Sequence, residues 1–163
     1  MLHEPPSGAL AVCHATKRTV GQATRTLLHA SCVDLWGTGV VLVGASGSGK
    51  SDLALRLIDG GARLVADDRV MIERQGDRLV AQPPDAIAGL IEVRGLGIMR
   101  IGYCPASELG LVVGLGAERP AERLPERATY QVLGVALPHL KLDPWTPSAC
   151  ARIRLVLTAE RVE

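Results

Sequence analysis

Gly44-Ala45-Ser46-Gly47-Ser48-Gly49-Lys50-Ser51 sets three glycines, a cation and a hydroxyl at the spacing GxxxxGK[ST]. That spacing serves phosphate binding. Glycines let the backbone curl until successive N–H groups point inward at phosphate oxygens, and the N-terminus of a following helix adds about half a positive charge. Lys50 would span the β- and γ-phosphates, and Ser51 would offer its hydroxyl to Mg²⁺. The mechanism needs a strand before the loop and a helix after it. The apolar run at 40–43 and the helical spacing of Leu53, Ala54, Leu57 and Ile58 predict both. A nucleoside triphosphate is therefore the expected ligand.

Such a loop states what is held but not which group receives the phosphoryl. Asp67 and Asp68 close the next predicted strand, where a carboxylate could reach the metal or a nucleophile; the plainer reading of the pair is turn chemistry. His29 precedes a predicted hairpin of residues 30–36 and 40–43. If that hairpin turns about Thr38, position 29 falls opposite position 47, at the mouth of the loop. Otherwise His29 is a solvent-facing residue ahead of a strand. His3, His14 and His139 have no comparable geometric support.

Charge balance asks for further cations. A terminal phosphoryl carries about two negative charges, and one lysine with a helix end offsets about 1.5 of them. A metal and an arginine are expected to supply the rest. Glu92 and Arg94, two apart in EVRGLG, would project from one side of a strand just before glycines. Glu92 could complete a Mg²⁺ shell and Arg94 could address phosphate. The competing reading is a surface cross-strand pair.

Elements must position these groups. Glycines at 60 and 61 stop the helix; ARLVADD reads as a strand, and RVMIE with RLVAQ around QGD as a second hairpin. IAGLIEVRGLGIM reads as a short apolar turn and a glycine-interrupted strand. LGLVVGLG, YQVLGVAL and ARIRLVL read as three more strands, and ERPAERLPERA as a proline-broken charged loop. The expected architecture is α/β, a P-loop in a mixed, strand-rich sheet with one helix. Residues 1–22 are expected to form a loose arm ahead of one domain spanning 23–163.

The bulk numbers agree with one globular domain. The 163 residues are 47 % hydrophobic and 21 % charged, with formal net charge +1. With 2 % aromatic residues, no Phe and no dense basic block, nucleic-acid binding by base stacking is not expected. Four cysteines in no CxxC or zinc-like spacing read as reduced structural residues, and no membrane-length apolar segment is evident. A cytoplasmic location is the expectation.

His29, the loop at 44–51, ADDRV at 66–70 and IEVRGLGIM at 91–99 together resemble the catalytic domain of HPr kinase/phosphorylase, across about residues 25–157. The resemblance implies a fold akin to phosphoenolpyruvate carboxykinase. It also implies use of ATP and Mg²⁺ to phosphorylate a serine on HPr, a small phosphocarrier protein, with reversal by inorganic phosphate to give pyrophosphate. By the same resemblance, Lys50 and Ser51 hold phosphate and Mg²⁺, Glu92 is a second metal ligand, Asp68 is the general base supported by Asp67, and His29 stands near the reacting phosphate. Arg123, in Glu122-Arg123-Leu124-Pro125, is the nearest match to a family arginine that precedes Leu-Gly. Near the end, LKLDPWTPSACARIRL stands where the family has a basic, glycine-containing segment tied to dephosphorylation, so kinase activity is the expected direction. The chain is expected to be a shortened form without the family's N-terminal domain and most of its helical tail. The family forms hexamers, which makes a homo-oligomer one expectation.

Three functions stay in view. The first is a protein-serine kinase acting on HPr or its nitrogen-branch relative. The second is a small-metabolite kinase. The third is an ATP-dependent switch without phosphotransfer, against which stands the absence of an NKxD motif; no HRD or DFG stretch points to a eukaryotic-type kinase.

Overall fold

The computed structural model describes residues 24–116, 123 and 125–162. The expected loose arm at 1–22 lies outside them. The strands are β1 (Arg25–Leu28), β2 (Ser31–Leu35), β3 (Thr38–Val43), β4 (Arg63–Ala66), β5 (Val70–Gln75), β6 (Arg78–Gln82), β7 (Leu90–Val93), β8 (Gly97–Arg100), β9 (Ser107–Leu115), β10 (Ala128–Val132) and β11 (Val135–Leu142). Two helices, α1 (Lys50–Asp59) and α2 (Ala149–Thr158), and a 3₁₀ turn at Asp85–Ile87 complete the described elements.

Nine strands join in one mixed sheet in the order β1-β5-β6-β9-β3-β2-β4, with β11 and β10 attached beside β9; β7 and β8 form a separate hairpin. Strand β9 serves two layers. Its first residues, Ser107 and Glu108, pair antiparallel with Ala81 and Val80 of β6, and its later residues run parallel to both β3 and β11.

Period-2 alternation divides the core. Val40 and Leu42 of β3, Val33 and Leu35 of β2, and Leu111 and Val113 of β9 face Leu53 and Leu57 of α1 and Ile153 of α2. Val41, Cys32 and Val112 point the other way, against Ile72 of β5 and Leu79 and Ala81 of β6. Covered on both faces, these strands read as continuous apolar runs rather than alternating ones. Leu53 and Leu57 are fully buried, and each contributes about 1.5–3 kcal/mol. Burial also pushes the Cys32 thiol up from its ordinary range, with the charge of Asp34 adding to it, so this residue is a small apolar core group. Cys32, Cys104 and Cys150 are free thiols.

Three expectations are corrected. The β2–β3 hairpin pairs Leu35 with Thr38, so its turn is Trp36-Gly37 rather than a reversal about Thr38, and the register extrapolates His29 toward Gly44 instead of Gly47. Trp36 and Gly37 both have positive φ, 53° and 88°, which matches the right-handed twist of two-residue hairpins. YQVLGVAL is not one strand: it turns at Leu133 (φ 49°) and Gly134 (φ 77°) to form the β10–β11 hairpin. ARIRLVL is not a strand either. It belongs to α2, whose Ala149 and Ile153 are buried one helical turn apart against the α1 side of the sheet. Its apolar residues suit a period of 2 locally, and packing chose 3.6.

Candidate active site

Strand β3 ends at Val43 and the chain curls at once. A Cβ on Gly44 would lie 2.6 Å from Ser48 Oγ and 3.1 Å from the Leu115 carbonyl oxygen, so only glycine fits there. Gly49 has φ 98° and caps α1 in a left-handed conformation that other residues rarely adopt. The Ser48 N–H donates to the Ala45 carbonyl at 3.0 Å, closing the loop on itself. Lys50 opens α1 and is only 7 % exposed. Its Nζ donates to the Gly44 and Ala45 carbonyl oxygens at 3.0 and 2.9 Å, which holds the ammonium across the loop.

Behind the loop, Asp67 is buried and joins three elements. Its Oδ1 accepts from Ser51 Oγ at 2.8 Å and from Ser31 Oγ at 2.7 Å; its Oδ2 accepts from the Glu92 N–H at 3.1 Å. One carboxylate therefore fixes the start of α1, the start of β2 and strand β7 relative to the end of β4.

The neighbouring aspartate does the opposite. Asp68 has φ 69°, and the Arg69 N–H donates to the Asp67 carbonyl at 2.8 Å around it, a tight turn of the strained, positive-φ kind. That turn throws the Asp68 side chain outward, where it is 67 % exposed and its Oδ1 lies 3.0 Å from His29 Nε2. The Asp68 carbonyl in turn accepts from the Ala30 N–H at 3.2 Å, tying the residue after His29 to the same turn. His29 thus reaches the site through the β4 end rather than through hairpin register.

A cleft of about 380 Å³ gathers these groups. His29, Lys50, Ser51, Asp68, Glu92 and Arg94 line it, with Ser46, Gly47 and Gly49 of the loop. Glu92 and Arg94 reach it together because β7 ends at Val93 and Arg94 begins the turn into β8, not because one strand face carries both. Arg123 lies in the β9–β10 connection, exposed, and is not among the residues lining the cleft. Sequence reasoning missed Ser31, a hydroxyl heading an otherwise apolar strand, and Trp145, whose side chain lines the cleft from the β11–α2 connection. Scarcity was a signal for the second: the chain has 2 Trp and no Phe.

Among the described residues, no three His, Cys, Asp or Glu side chains form a metal cage. Ser51 and Glu92, which line the cleft, would instead suit Mg²⁺, which keeps waters and shares its shell with substrate phosphates, with Asp67 behind them accepting from Ser51 Oγ and the Glu92 N–H. The charge balance points the same way. Among the described residues, Asp52, Asp68 and Glu92 line the cleft with only Lys50 and Arg94 as permanent cations, so a polyanion would enter most readily with a divalent ion.

The family model for the HPr Serine kinase C-terminal domain matches residues 21–146. The chain belongs to that family. Among relatives of the HPr kinase C-terminal family, the HPr kinase/phosphorylase of Halalkalibacterium halodurans is 38 % identical over 130 residues, covering 74 % of this chain and 39 % of that protein. The enzyme of the same name from Geobacillus thermodenitrificans is 37 % identical over 132 residues, covering 74 % of this chain and 43 % of its own length. The chain thus spans about two fifths of these curated relatives. The solved HPr(Ser) kinase/phosphatase of Coxiella burnetii superposes with a TM-score of 0.70 at 25 % identity, covering 82 % of this chain and 99 % of that one. The segment matched by the HPr kinase domain model contains every cleft-lining residue named above, whereas α2 follows it.

Proposed function

We propose that the protein is an ATP- and Mg²⁺-dependent protein-serine kinase of the cytoplasm that phosphorylates an HPr-type phosphocarrier protein or its nitrogen-branch relative. The observation that carries this reading is the adjacent pair Asp67 and Asp68, one buried on Ser51 and one turned out beside His29, at the edge of a phosphate loop. In this reading the loop amides and Lys50 take the polyphosphate, and the Lys50 ammonium exchanges the Gly44 and Ala45 carbonyls for phosphate oxygens. Ser51 and Glu92 would hold Mg²⁺, with Asp67 fixing Ser51 from behind, and the ion would supply charge neutralisation of the phosphates.

Asp68 accepts the proton of the attacking serine hydroxyl. With Oδ1 engaged by His29, Oδ2 is left to receive it. His29 orients that carboxylate, and Arg94 from the β7–β8 turn meets charge on the transferred group. The same carboxylate would return the proton in phosphorolysis. Positioning and electrostatics supply most of the rate in such a transfer.

The test incubates the protein with γ-labelled ATP, Mg²⁺ and purified HPr. A labelled serine on HPr is expected, with transfer by Asp68→Asn lower by about 10²–10⁴-fold and weak nucleotide binding by Lys50→Ala. A labelled small metabolite, or ATP-dependent association without product, would replace this reading.

A further inference from the structure

We propose that Trp145 is the stacking platform for the nucleobase of the bound nucleotide, an assignment that rests on the phosphate-loop reading. Trp145 lines the cleft and yet is 63 % exposed, a large apolar ring kept in water beside polar machinery. It touches the phosphate loop itself: a Cβ on Gly49 would lie 2.9 Å from its Cζ2 and 3.3 Å from its Cη2.

The turn that carries the ring is held in place. The Trp145 backbone N–H donates to Asp143 Oδ1 at 2.9 Å, and Thr146 Oγ1 donates to the Asp143 carbonyl at 2.9 Å, fixing the turn after β11. From α1, the Arg56 guanidinium donates to the Pro144 carbonyl and pairs with Asp52 at 2.9 Å, and its Cζ lies 6.0 Å from the ring centroid. An aromatic carried on a fixed turn loses less entropy than one on a free loop when a flat ligand settles on it.

Location selects the ligand. His29 and Asp68 occupy the side of the cleft built from the β4 end, where the acceptor must come. Trp145 instead stands against Gly49 and shares the cleft with Asp52 and Leu55 of the first turns of α1, beside the amides that would hold the phosphates. A nucleoside leaving those phosphates away from Asp68 meets this ring. Any base has a π-face to offer it.

The test places Trp36→Phe in the background so that Trp145 is the only tryptophan, and titrates Mg²⁺-ATP and pyrophosphate by calorimetry and fluorescence. Trp145→Ala should weaken ATP about tenfold and leave pyrophosphate unchanged, and Trp145→Phe should restore most of the difference. ATP, but not pyrophosphate, should quench the single tryptophan. Equal losses for both ligands, no loss for ATP, or unquenched emission at saturating ATP would overturn the assignment. If the unsubstituted protein binds neither ligand, the phosphate-loop reading falls first and takes this assignment with it.

Discussion

At the residue scale, two adjacent carboxylates have separate fates because one backbone angle turns over between them. Asp67 keeps the strand direction and goes inward to Ser31 and Ser51; Asp68, at φ 69°, goes outward to His29. Removing each should therefore fail differently. Asp67→Ala strips the acceptor from three donors and should cost at least about 2 kcal/mol in urea unfolding. Asp68→Asn keeps a side chain that tolerates the left-handed conformation, so stability should change by less than about 0.5 kcal/mol. Phosphoryl transfer by Asp68→Asn should fall by about 10²–10⁴-fold with ATP binding retained. Unimpaired transfer to HPr would remove Asp68 from its proposed role of base.

At the element scale, packing decides what local sequence leaves open. Helix α2 docks on the apolar side of the sheet through Ala149 and Ile153, so Ile153→Ala should cost about 2–4 kcal/mol, read from the denaturation midpoint. Strand β11 carries His139, whose Nε2 is buried without a hydrogen-bond partner. Burial lowers the His139 pKa below its ordinary value, and the charge of Lys141 lowers it further. The unfolded chain then binds the proton more readily than the folded one, so this contribution to stability is full above about pH 6.5 and is lost as pH falls toward the folded pKa. The drop in urea midpoint between pH 7.5 and 5.5 should accordingly shrink in His139→Gln.

At the scale of the whole molecule, one sheet shared through β9 carries helices against one set of its side chains and the β5–β6 layer against the other, and the cleft sits where β3, β4, α1 and the β7–β8 hairpin meet. A ligand there touches several parts of the fold together. Mg²⁺-ATP at about 100 times its dissociation constant should add about 2.7 kcal/mol and raise the thermal midpoint by about 5–10 °C. Lys50→Ala should abolish the shift, and an equal shift in that variant would place the nucleotide elsewhere.

The glycine loop and α1 were legible because their signals are local: glycines, a lysine, a serine and apolar residues spaced along a few turns of chain. Two other elements were misread for physical reasons of the same kind. Leu133 is no ordinary turn former, so its left-handed conformation was invisible in an apolar run, and the residues of α2 fit either period until a sheet face selected one. Residue types and spacing determined the glycine loop between β3 and α1 and the candidates to serve it. Only the tertiary structure decided that Ser31 shares Asp67 with Ser51, that Asp68 meets His29 and that Trp145 abuts Gly49, because those contacts join residues 16 or more positions apart and follow from how the layers pack.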